Sequence, residues 1–111
     1  MTTPNAIAAP SATDDRQVLG CACLLMAFEA ASAAAVLCRP LARLGDDFVA
    51  ATVMIDVGEG ALPFDLETVR LAAQCLRADP PFPGAADLAD RLNLAADQAE
   101  AQALRLMSAL N

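Results

Sequence analysis

The chain contains no tryptophan, tyrosine, histidine or lysine, and its only aromatic residues are Phe28, Phe48, Phe64 and Phe82. Each absence excludes something. Strands draw on aromatic residues that this chain barely supplies, which lowers the expectation of an all-β fold. A catalytic centre needs convergent acids, bases or nucleophiles. With no His, Lys or Tyr, no phosphate-cradling glycine loop and no paired carboxylates at an apolar site, the reading is a non-enzyme without cofactor, metal or small-molecule substrate. The missing lysine, beside abundant Ala, Arg and Asp, reflects a GC-rich, bacterial genome and implies no function.

Cysteine is sparse and badly spaced for a metal. Cys21, Cys23, Cys38 and Cys75 include no C-x2-C pair, and on a helix Cys21 and Cys23 point about 200° apart. They read as buried, reduced thiols of a cytoplasmic protein. Positive charge is scarce too. Residues 1–44 balance to zero, whereas residues 45–111 hold eleven acids against four arginines, and the whole chain carries −7. Such a surface repels phosphate backbones, so no direct nucleic-acid binding is expected.

What the chain does have is apolar material, 57% of 111 residues, enough for one folded domain. Much of it is alanine, which favours helix but buries little area, so a thin core is expected. Met1 to Asp14, with Pro4 and Pro10 and no basic residue, reads as a flexible tail, leaving 15–111 as a single helical domain. The stretch Val18 to Cys38 is long enough to test as a membrane span. Its seven Leu, Val and Phe residues contribute roughly −2 to −4 kcal/mol to insertion, and the central Glu29 costs about +2.5 to +3.5 kcal/mol. The terms nearly cancel, and no membrane span is expected.

Helix signals dominate the rest. A first helix is predicted from Asp15 to Leu37 or Arg39, stopped by Pro40, with large apolar residues almost all round it. Phe48 to Val57 is predicted as a second helix; its β-branched residues also permit a strand, which would then need a partner strand from a second subunit. Gly58 to Pro63 is a turn. Asp65 caps an amphipathic helix through Leu66, Val69, Ala73 and Leu76 that ends near Ala78, and the proline-rich segment 79–84 stops it, with Phe82 folding back on the core. From Ala85 to Leu110 the apolar stripe Leu88, Leu92, Ala95, Ala99, Ala103, Leu106, Leu110 predicts one continuous helix; a break at Asn93 would instead give half of a helix-turn-helix unit.

The expectation is therefore an all-α fold, a small bundle of four to five helices completed by dimerisation. Its apolar surplus points to a protein-interaction module, a small acidic adaptor, chaperone or assembly factor that binds a protein partner or itself as a homodimer. The candidate interaction surface is Val18, Leu25, Phe28, Val36, Leu88, Leu92, Leu106 and Leu110. The alternative is an acidic helix-turn-helix-like regulator that occupies a basic partner's site.

Overall fold

The computed structural model describes residues 15–46 and 48–110. The expected tail, 1–14, lies outside the described residues. Along the chain run α1 (Asp15–Ala30), a 3-10 turn (Ala33–Ala35), three strands β1 (Leu37–Leu44), β2 (Val49–Asp56) and β3 (Ala61–Asp65), then α2 (Leu66–Ala78) and α3 (Ala85–Leu110). The fold is α+β, with a three-stranded antiparallel sheet in the order β1-β2-β3. This corrects the all-α bundle.

The first helix ends at Ala30, about two-thirds of the way along its predicted length. Its last turn closes with Ala31 N donating to Ala27 O at 3.1 Å, Ser32 then turns extended, and the alanine run makes only one 3-10 turn. Helix propensity loses to packing here: Val36 is fully buried, and from Leu37 onward successive residues alternate across a pleat. Pro40 sits inside β1, where an edge strand tolerates it. The segment 48–57 is β2 and not a helix. It needs no second subunit, because β1 pairs with it from Leu37↔Asp56 to Leu44↔Val49 and β3 from Thr52↔Asp65 to Asp56↔Ala61.

The second half follows the sequence more closely. Asp65 caps α2, its Oδ1 accepting from Thr68 N at 2.9 Å. Helix α3 passes through Asn93 without a break, and Phe82 packs half-buried against the core. Helices α2 and α3 lie side by side on one face of the sheet, α3 over β1 and β2, while α1 rests on α2 rather than on the sheet. Among the described residues no helix covers the opposite sheet face, with Leu37, Arg39, Leu41, Thr52 and Met54.

Two kinds of polar contact tie the layers. Helices α2 and α3 run antiparallel, joined by Arg70 to Asp97 at 2.8 Å and to Glu100 at 3.3 Å, and by an Arg77–Asp90 pair. All are exposed, so each contributes little, ~0–1 kcal/mol. Arg91 acts differently. Its Nη1 donates to Val36 O at 2.8 Å and its Nη2 to Ala33 O at 2.6 Å, closing the carbonyls where the 3-10 turn enters β1. Charge-assisted bonds from a part-buried guanidinium to backbone carbonyls are worth more. Replacing Arg91 by Met is expected to cost about 2–3 kcal/mol in urea unfolding, and Arg70→Ala under about 1 kcal/mol; equal losses would show that Arg91 does not hold the turn.

Candidate functional site: an apolar groove between α1 and β3

Because α1 leans on α2, its sheet-facing side leaves a gap over the end of the sheet. The gap is lined by Cys23, Leu24 and Ala27 of α1, by Ile55 and Val57 at the end of β2, and by Leu62 and Phe64 of β3, with a volume of about 290 Å³. Ile55 pairs with Leu62 and Val53 with Phe64, so the strand residues project to the same face. Leu62 is 62% exposed, although it points to the side on which the core lies. A second hollow of about 250 Å³ shares Ala27, Val57 and Glu59 and continues the gap past Ala30 and Ala31. The two form one groove. Open to solvent along its length, it suits one or two apolar side chains better than a whole small molecule, whose pockets enclose most of the ligand's surface.

One end of the groove is a built turn. Asp56 Oδ1 accepts from Gly58 N at 2.7 Å and from Gly60 N at 3.2 Å, and both glycines have positive φ, 112° and 107°. The carboxylate thus fixes a loop that only glycine adopts without strain. Glu59, between the glycines, stands exposed at the rim, and the turn presents a negative charge beside apolar walls.

The thiols separate by burial. Cys21 is buried on the opposite flank of α1 from the exposed Cys23. Burial pushes the Cys21 thiol up to about 11, with the neighbouring Cys75 thiol adding to the effect. Burial also raises the Cys38 thiol, while the Arg91 guanidinium pulls it the other way.

The structure scatters the eight residues expected to form one surface. Phe28, Val36, Leu88 and Leu92 are fully buried and belong to the core, so they present nothing to a partner. Leu25 and Leu106 are half-buried, and Val18 and Leu110 are exposed at separate places, one near the start of α1 and the other at the end of α3. Sequence reasoning misses the groove residues Ile55, Val57, Leu62 and Phe64 because it assigns 48–57 to a helix and 58–63 to a simple turn. Their signal was the alternation of Val53, Ile55 and Val57, repeated in Leu62 and Phe64 across a Gly-Glu-Gly turn.

Compared with protein-family models, curated proteins and solved structures, the chain matches none. The groove must be read from its own chemistry.

Two measurements check this description. Under mildly alkaline native conditions a maleimide is expected to attach to Cys23 and to leave Cys21 unmodified until the chain unfolds, as read by peptide mass spectrometry. For Cys21 the folded value lies above the unfolded one near 9.0, so the fold holds the proton more tightly. Its stabilisation is complete below about pH 9 and is lost as pH rises through about 11. The thermal midpoint should fall across that window more steeply in the native chain than in Cys21→Ala.

Proposed function

We propose that this protein is a non-catalytic, cytoplasmic interaction module, an adaptor, chaperone or assembly factor, whose α1–β3 groove receives an apolar segment of a protein partner. One observation carries the reading: apolar side chains that point to the core side of the fold, Leu62 above all, stay open to water in a groove with a carboxylate at its lip. A leucine left exposed on the core side of a sheet, with apolar walls beside it, is a seat that a partner's apolar side chain can cover.

The charge indicates the partner's flanks. With Glu59 at the rim and −7 on the chain, a segment carrying arginine or lysine beside its apolar residues gains in encounter rate and in selectivity, and an acidic one is repelled. The same charge disfavours direct nucleic-acid binding. Among the described residues no helix is long and apolar enough to cross a membrane. The helix-turn-helix alternative loses its motif, because α3 is continuous through Asn93 and offers no separate recognition helix.

A peptide array scored against the native chain and Leu62→Asp tests this. The native chain should bind peptides that join two or more apolar residues to a basic flank, and binding should weaken with salt. Leu62→Asp, at an exposed position, should fold normally yet lose about tenfold or more in affinity, roughly 1.4 kcal/mol. Peptide binding indifferent to Leu62→Asp would remove the groove from the function.

A further inference from the structure

Helix α1 is held chiefly by α2, so what joins those two helices decides where α1 lies. Their approach is close. A Cβ added at Gly20 would stand 3.2 Å from Thr68 Cγ2, so the missing side chain lets the helices pack tightly at this level. Cysteines stand on both sides of the contact. Seven residues after Thr68, two turns along nearly the same line of α2, comes Cys75, and the residue after Gly20 is Cys21. The two thiols meet, the Cys21 S–H donating to the Cys75 sulfur.

The members of this pair differ in access. Cys21 is 4% exposed, whereas Cys75 is open to solvent. The other two thiols lie elsewhere: Cys23 points about 200° from Cys21 round α1, and Cys38 stands in β1 beside Arg91. One accessible sulfur with a sheltered one against it is the arrangement that thiol–disulfide exchange needs, an entry thiol and a resolving thiol.

We propose that Cys75 and Cys21 are a redox-modification site, at which Cys75 takes up a low-molecular-weight disulfide and Cys21 resolves the adduct into a reversible disulfide between α1 and α2. The Cys75 thiolate attacks one sulfur of the small disulfide and expels the first thiolate. Cys21 Sγ then attacks Cys75 Sγ, breaking the mixed disulfide and forming the internal bond. Two electrons pass to the small disulfide, which leaves as two thiols carrying the two protons of the protein thiols. Burial pushes the Cys21 thiol up to about 11, so the small disulfide enters at Cys75 and Cys21 acts by adjacency. The bond closes a loop that contains all three strands, which constrains the unfolded chain. It also fastens α1, whose Cys23, Leu24 and Ala27 wall the groove, and it forms whether or not a partner fills that groove.

Oxidised glutathione is the probe, applied to the full chain carrying Cys23→Ser and Cys38→Ser. Those substitutions are needed because no arginine lies between Arg16 and Arg39, so three thiols would otherwise share one tryptic peptide. Mass spectrometry should show the Cys21 and Cys75 peptides joined, two hydrogens lighter than the reduced pair, and a reductant should part them. Adding Cys21→Ala should stop the reaction at a glutathione adduct on Cys75. Adding Cys75→Ser, at an exposed position, should leave Cys21 unmodified in a chain whose circular dichroism matches the native one. With Cys23 and Cys38 restored, fragmentation should find the Cys21–Cys75 linkage in roughly tenfold excess over any other pairing. The linked chain should melt about 5 °C or more above the reduced one. A Cys75 adduct that accumulates unresolved in the folded chain, linkage chiefly through Cys23 or Cys38, or a melting point that falls on oxidation would overturn the proposal.

Discussion

Everything in this fold depends on how closely α3 can approach its neighbours. Of the eight buried residues of α3, six are alanines, Ala85, Ala89, Ala95, Ala96, Ala99 and Ala103, with only Leu88 and Leu92 larger. Interhelical distance is set by the side chains at the contact, so an alanine stripe brings α2 and the sheet close on adjoining sides. Arg91 can then reach two backbone carbonyls at the entry to β1, which a thicker layer would put out of range. The helix binds the two halves of the chain through closeness rather than bulk.

Closeness has a consequence for where the large side chains go. Alanine accounts for eight of the eighteen buried apolar residues, while eleven large apolar residues, from Val18 to Leu110, remain exposed among the described residues. Burial of alanine returns little transfer free energy per residue, so the few large core side chains, Phe28, Leu76, Leu88 and Leu92 among them, carry most of the hydrophobic stabilisation. Between α1 and β3 the apolar walls end at Glu59, which on the proposed reading favours a partner with basic flanks.

The sequence disclosed the second half of the fold and misled about the first, for one physical reason. Helices α2 and α3 carry their own boundaries: Asp65 as cap, Asp79-Pro80-Pro81 as stop, and a stripe at 3.6 spacing that runs unbroken through Asn93. These signals are local. The strands β1 and β3 are made by pairing, and pairing is not local. Leu37 to Leu44 contains two arginines, a proline and no β-branched residue, and Ala61 to Asp65 contains a proline in five residues. Neither looks like a strand alone; both form because β2, rich in Thr52, Val53 and Ile55, lies between them as a template. The alternation in β2 was visible, but its partners were concealed in segments that read as helix end and turn, and the groove was concealed with them. The alanines of 30–35 compounded the error, since their propensity favours a helix that the burial of Val36 ends.

The same two prolines bear on how the molecule associates. Pro40 stands within one edge strand and Pro63 at the centre of the other, opposite Val53 and Met54 of the central strand. Proline has no N–H to give to an added strand, and its placement on edges is a recognised means of blunting them. A three-stranded sheet with both edges open would otherwise invite strand addition from any extended segment, including another copy of itself, without reading its side chains. With both edges interrupted, the proposed partner is left the side-chain surface of the groove beneath Leu62, which can discriminate by shape and charge as backbone pairing does not. The residues that made the strands hard to recognise are thus those that make the sheet selective.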